Sequence, residues 1–365
     1  MKNGSKNWKN AEFTKSEGSI IKKTGYTKLI IIPLIICAAN AGAQDFPAEL
    51  MLRAFYHCYP EKTGAPVFMD GDWTVRTGKE TYYWAEGRLL PRALKDEKDA
   101  FTPHVFEIYP DTIVSPSSYS DQFIESLRIH GSIESLDQDN QHHGFQGVLY
   151  GGLARREIEN RLQKISFLGT TISVNRDIAA ALSRIDAQIM EAGASDTSEG
   201  KQISLFLDSI GQIGGYNWRE IRSSSRMSYH SWGLAVDIQP KNPGNSAIYW
   251  LWERSRNRDW MLVPLNARWK PPDRVIEAFE QEGFIWGGKW AMYDTMHFEY
   301  RPELHELNRL LSSADGSYSI TGVSGPAATR DLHHLYPDNP APKSTGVWSL
   351  PLLPRRKDSP ARPAK

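Results

Sequence analysis

The sequence predicts an α+β fold in which short amphipathic strands carry the candidate chemistry and helices flank them, preceded by a mixed N-terminal region. Three patterns predict it. Leu234, Val236 and Ile238 alternate with Ala235 and Asp237, and Met296, Phe298 and Tyr300 alternate with His297 and Glu299, the period of two that a strand requires. Ile178, Leu182, Ile185 and Ile189 recur at the spacing of one face of an amphipathic helix. With 365 residues, 40% of them apolar, and 12 tryptophans, the chain has material for one domain plus a substantial extension.

The first element, residues 1–43, reads as a signal peptide. Lys2, Lys6, Lys9, Lys15, Lys22, Lys23 and Lys28 precede an apolar run from Leu29 to Ala39, and Ala41-Gly42-Ala43 fits a small-residue cleavage site before Gln44. The run is short for a bilayer span, and an uncleaved anchor is the alternative. Ile36, rather than a small residue, precedes Cys37, which argues against a lipoprotein. The expectation is an exported protein with no stable membrane insertion after cleavage. The whole chain has formal charge zero, and the leader carries seven lysines against Glu12 and Glu17, so its removal leaves a charge near −5. No basic field points to nucleic acid. Only Cys58 survives cleavage, which excludes an intramolecular disulfide framework.

Residues 44–164 form the N-terminal region, whose role the sequence does not disclose. Pro47 to Tyr59 predicts a helix, and Pro66 to Trp73 and Thr81 to Ala85 predict two strands around the turn Arg76-Thr77-Gly78-Lys79. Trp73, Tyr82, Tyr83 and Trp84 fit either a saccharide-stacking surface or, the reading favoured by their strand spacing, a hydrophobic core. Ser115 to Gly147 reads as polar loops with one helix near Gln122 to Arg128, and His142-His143 as a solvated pair.

Residues 165–314 are better patterned. Asn175 caps the helix that carries Ile178, and Gly193 ends it. Ile203 to Ile210 is an apolar segment, and Gly211 to Gly215 a loop. Pro272 to Glu282 predicts a short helix that buries Val275, Ile276 and Phe279 and stops at Gly283, and Pro302 to Leu311 a closing helix. Residues 315–365 are rich in Gly, Ser and Pro and end in a basic stretch that reads as a disordered tail.

The chemistry lies in two stretches. His230 stands seven residues before Asp237, an odd offset that would point the side chains apart along one strand, so a turn must intervene, and Gly233 is its natural place. In the second stretch His297 faces away from Met296 and Phe298, and Asp294 falls in the turn before it. Two histidines and one carboxylate leave a fourth tetrahedral position open, as in catalytic zinc sites. Glu299 shares the face of His297 and either acts as a base or orients a ligand.

Ser-x-His-x-x-Gly-x-Ala-x-Asp at Ser228 to Asp237, Trp-Gly-Gly-x-Trp at Trp286 to Trp290 and Asp-x-Met-His-Phe-Glu at Asp294 to Glu299 resemble the VanY-type D-alanyl-D-alanine carboxypeptidase family of zinc peptidases. The resemblance covers about Phe167 to Leu311 and implies the Hedgehog/DD-peptidase fold, a small antiparallel sheet with flanking helices. It implies one Zn2+ held by His230, Asp237 and His297, with Asp294 as catalytic base and Arg219 as the arginine that polarises the scissile carbonyl. Arg222 and Arg226 are rivals for that role, and Arg219 could equally pair with Glu220. Ser228, Trp232 and Trp290 would line the cleft. The implied substrates are peptidoglycan peptides and the implied location periplasmic or otherwise cell-wall associated. Many relatives have glutamate where this chain has Asp294, a departure toward the aspartate of some endopeptidase-type members, so an L-alanyl-D-glutamate endopeptidase stands beside the D,D-carboxypeptidase. A different class, a cell-wall-binding protein that keeps the metal without turnover, is disfavoured by the complete set of ligands and base.

Overall fold

The computed structural model describes residues 48–313, apart from 105, 107, 132–139 and 219–226. The expected signal peptide and basic tail lie outside the described residues, as do Arg219, Arg222 and Arg226. The protein is α+β with small antiparallel sheets. It begins with helix α1 (Ala48–Cys58), followed by β1 (Val67–Met69), β2 (Asp72–Thr77), β3 (Glu80–Tyr83) and β4 (Leu90–Pro91), which form one antiparallel sheet in that order. The single strand expected over 66–73 is a hairpin, because Asp70 (φ 51°) and Gly71 (φ 76°) take left-handed backbone and reverse the chain. Tyr82 and Tyr83 are buried and Trp73 and Trp84 pack against the core, as the core reading of these aromatics expects.

Helices α2 (Asp121–His130), α3 (Gly144–Tyr150) and α4 (Arg155–Glu159) lead to a two-stranded hairpin of β5 (Leu162–Phe167) and β6 (Thr170–Asn175). His142 and His143, expected in solvent, are half-buried: His142 meets the edge of Phe101, and His143 meets the edge of Trp232. The boundary expected at 164/165 falls inside β5. Next comes α5 (Arg176–Gly193), capped by Asn175, whose side-chain oxygen accepts the Asp177 N–H at 3.1 Å. Ile178, Leu182, Ile185 and Ile189 are all buried, so the predicted stripe is the core face.

The apolar segment at 203–210 belongs to α6 (Ser198–Ser209), and the expected loop at Gly211–Gly215 is largely strand β7 (Ile210–Gly214). Glycine hides such a strand from sequence reading, since β7 is held at the sheet edge by backbone hydrogen bonds and needs no alternating side chains. β8 (Ala235–Pro240), α7 (Trp250–Arg254), α8 (Asp273–Gln281), β9 (Phe284–Trp286), β10 (His297–Tyr300) and α9 (Pro302–Ser313) complete the chain. The second sheet runs β7-β8-β10-β9, with every neighbouring pair antiparallel.

One face of this sheet builds the core. Phe298 stacks on Phe279 of α8 with ring centroids 3.9 Å apart, and Val236 sits opposite Phe298 across the strands. Burial of one such side chain is worth roughly 1.5–3 kcal/mol. The same hydrophobic cluster contains Leu50, Met51 and Phe55 of α1, which packs along α9, so the N-terminal region and the strands bearing Asp237 and His297 share one core. Among the described residues no helix is long and apolar enough to cross a membrane.

Candidate metal centre

The other face of the sheet carries the site. Register alone places two of its members: His297 of β10 lies directly opposite Asp237 of β8, and Glu299 opposite Ala235, whose methyl leaves room beside the carboxylate. The alternation predicted from sequence is therefore present, with one difference. His297 and Glu299 are buried, because the turn carrying His230 lies against His297, with ring centroids 5.1 Å apart, and Arg301 lies against Glu299.

His230 arrives on a 3-10 turn, Tyr229–Trp232. Ser228 Oγ accepts the His230 N–H at 3.3 Å to start the turn, and Gly233 at φ 68° ends it, the fold-back that the odd spacing demanded. The turn rests on the start of α5: the Asn175 N–H donates to the Gly233 carbonyl at 2.9 Å, and Asn175 Nδ2 donates to the Trp232 carbonyl at 3.1 Å. Ser228 and Trp232, expected in the cleft, serve this turn instead. Ser228 is buried with its hydroxyl used as a cap, and Trp232 is 2% exposed, with its indole N–H on the Gly152 carbonyl at 3.2 Å.

His230 Nε2, His297 Nδ1 and Asp237 Oδ1 converge. The carboxylate oxygen is 3.1 Å from the first nitrogen and 2.9 Å from the second, and the nitrogens are 3.3 Å apart. Ligand atoms ~2.0–2.1 Å from a tetrahedral zinc stand ~3.3 Å apart, so these three atoms span one face of such a tetrahedron with little adjustment. The opposite nitrogens are tied down. His230 Nδ1 is 2.6 Å from the Gly215 carbonyl, and His297 Nε2 is 3.1 Å from Glu299 Oε2. With a metal on the near nitrogens, each tie would hold the ring proton on the far side, the outer support that metal-binding imidazoles commonly have. Gly215 contributes only a backbone carbonyl, which no side-chain pattern announces.

The electrostatics agree. Burial opposes charge on Asp237, but hydrogen bonds from His230 and His297 outweigh it and hold the carboxyl well below its usual range. Burial likewise opposes charge on His297, yet hydrogen bonds to Asp237 and Glu299 push its pKa up. Glu299 is held ionised, against burial, by His297 and Arg301. Such a pocket of negative potential around two imidazoles favours a bound cation.

Asp294 lies where the sequence places it, in the turn entering β10: its carbonyl accepts the His297 N–H at 3.2 Å, and its own N–H donates to the Gly287 carbonyl at 3.0 Å. Its Oδ1 is buried. Trp290 flanks the site, with its ring 5.6 Å from that of His297.

Two buried histidines and a half-buried aspartate, brought together by two antiparallel strands and a 3-10 turn, form a group that could hold a metal ion, the donor set of zinc hydrolases. Comparison with known families narrows the class: residues 222–300 match the family described as D-alanyl-D-alanine carboxypeptidase, which supports the VanY-type assignment. The match includes all three triad residues, Asp294 and Glu299, but begins after Arg219. Residues 51–106 match a domain of unknown function. No curated protein and no solved structure matches the chain.

Proposed function

We propose that the protein is a zinc-dependent peptidase that hydrolyses peptidoglycan stem peptides as a D-alanyl-D-alanine carboxypeptidase. The observation that carries this reading is the convergence of His230 Nε2, Asp237 Oδ1 and His297 Nδ1, each imidazole already polarised from behind by Gly215 or Glu299. It is supported by the peptidase-family match over the same residues. Two nitrogens and a carboxylate oxygen are donors that suit zinc, which would supply Lewis acidity to acidify water toward neutrality and to polarise the scissile carbonyl.

The chain's own groups do the rest. Asp294, on the turn beside His297, takes a proton from the attacking water and delivers it to the leaving amine. The Gly215 carbonyl and Glu299 keep the imidazoles in their ligating tautomers throughout. Trp290 walls the site and restricts water near the reacting bond. Arg219 is the proposed donor to the developing oxyanion, a contribution commonly worth ~3 kcal/mol. Export behind the 1–43 leader would bring the enzyme to its substrate outside the cytoplasm.

The test is mass spectrometry of defined muropeptides after incubation with residues 44–365, with and without a zinc chelator. Chelator-sensitive loss of the terminal D-alanine is expected. A cut between L-alanine and D-glutamate would replace the carboxypeptidase by an endopeptidase. No cleavage by zinc-loaded protein would remove the enzymatic reading in favour of a wall-binding protein.

A further inference from the structure

We propose that Arg301 and Glu303, anchored by Tyr59 of the N-terminal region, are positioning residues for the metal ligand His297, so that this region is part of the scaffold of the metal centre. The inference rests on the zinc-site reading above and extends it to residues outside the motifs.

A continuous chain of contacts carries it. Glu299 uses Oε2 on His297 Nε2 at 3.1 Å and Oε1 on Arg301 Nη1 at 3.2 Å, so both of its oxygens are committed. Arg301 Nε donates to Glu303 Oε1, and Glu303 Oε2 accepts the Tyr59 hydroxyl at 3.3 Å. Glu299, Arg301 and Glu303 are all buried, Glu303 completely. The Arg301 guanidinium also lies over the Tyr229 ring, 5.0 Å from its centroid, and Tyr229 immediately precedes His230. One arginine therefore braces both histidine-bearing segments.

The charges explain why such a group is buried at all. Glu299 and Glu303 face one guanidinium, and both are buried and hydrogen-bonded to it. Buried charge is tolerated when it is balanced and hydrogen-bonded, and the Glu299 carboxylate is balanced from both sides, by Arg301 and by His297. Without Arg301, Glu299 would lose the partner that holds its second oxygen, and its carboxylate could rotate away from His297. The imidazole would then be free to turn its lone pair off the metal. Tyr59 acts one step further out by fixing Glu303. It lies within the stretch that matches a domain of unknown function, which gives that stretch a task at the metal centre.

The experiment is zinc affinity by competition with a chromophoric chelator, on the full chain and on Tyr59→Phe, Arg301→Gln and Arg301→Lys, each checked for cooperative thermal unfolding in the metal-free state. Loss of such supporting contacts typically weakens metal binding 10–100-fold. Arg301→Gln is expected in that range, Tyr59→Phe at a few-fold, and Arg301→Lys between wild type and Arg301→Gln because it restores the charge without the fork. His57→Gln is the control. It removes another contact between the same two helices, His57 Nδ1 to Glu306 Oε1 at 2.6 Å, and should leave zinc affinity unchanged. Wild-type affinity in a folded Arg301→Gln would overturn the proposal. Should Arg301→Gln fail to fold, the near-isosteric Tyr59→Phe decides, and wild-type affinity there overturns it equally. A wild-type chain that takes up no zinc would sink the peptidase reading and this proposal together, whereas zinc uptake unaffected by the variants would sink this proposal alone.

Discussion

The Nδ1 of His230 lies 2.6 Å from the carbonyl oxygen of Gly215, and the segment bearing that carbonyl is pinned to β6 by the hydrogen bond from the Tyr216 N–H to the Ser173 carbonyl at 2.7 Å. A Cβ at Gly215 would stand 2.4 Å from that same Ser173 oxygen. Gly215→Ala must therefore push the segment off β6 and carry the carbonyl away from His230. We expect zinc affinity to fall by ~10–100-fold while the fold persists. Chelator competition measures it, and unchanged affinity would show that His230 needs no such tie.

Ligand and base separate by two substitutions. His230→Ala removes a donor from a three-donor set and should abolish both zinc retention and hydrolysis. Asp294→Ala leaves the triad intact, so zinc should stay while kcat drops by ~10²–10⁴, the usual worth of a positioned acid or base. Metal analysis of dialysed protein alongside the peptide assay distinguishes the cases. Full activity in Asp294→Ala would leave Glu299 to be examined as the base.

How much of this was legible in the sequence depended on whether side chains or backbone did the work. The triad is legible because Asp237 and His297 are side chains on alternating strands, and because Gly233 sits where the odd His230–Asp237 offset needs a reversal. The α5 stripe and its Asn175 cap were legible for the same reason. β7 was not, since a strand of glycine and mixed residues at a sheet edge is defined by its backbone pairing with β8. The burial of Trp232 is not legible, because a tryptophan two residues after His230 has the same pattern whether it faces substrate or core. The link from Tyr59 to Glu303, Arg301 and Glu299 is invisible in the sequence, because Tyr59 lies far from the other three and only the packing of α1 along α9 brings it to them.

Gly233→Ala should cost stability rather than chemistry alone. At φ 68° any side chain pays roughly 1–2 kcal/mol in backbone strain, and the new Cβ would also sit 2.7 Å from the Asn175 backbone nitrogen and 3.0 Å from Leu162 Cδ2. The contact is with backbone at the start of α5, which cannot simply rotate aside. A fall in Tm of several degrees is expected for the metal-free chain. An unchanged Tm would mean that the turn and the helix start can separate without loss.

His104, a residue outside the triad, makes the chain sensitive to acid. Its Nδ1 is 3.1 Å from Gln146 Nε2 and its Nε2 is 3.0 Å from the His142 carbonyl, so the ring is held neutral, accepting from one and donating to the other. Burial, followed by the nearby His143, lowers its pKa from 6.5 to about 3. The folded value lies below the unfolded one, so between about pH 6.5 and about pH 3 the unfolded chain binds a proton that the folded chain refuses. Stability from this group is full above that window and declines through it on acidification, at ~1.4 kcal/mol per pH unit in the middle of the window. His104→Gln retains a donor and an acceptor but does not titrate, so its stability should fall less steeply between pH 6 and pH 4 than that of the wild type. Parallel urea-unfolding slopes for the two proteins across that range would assign the acid sensitivity elsewhere, most directly to the carboxylates of the metal site.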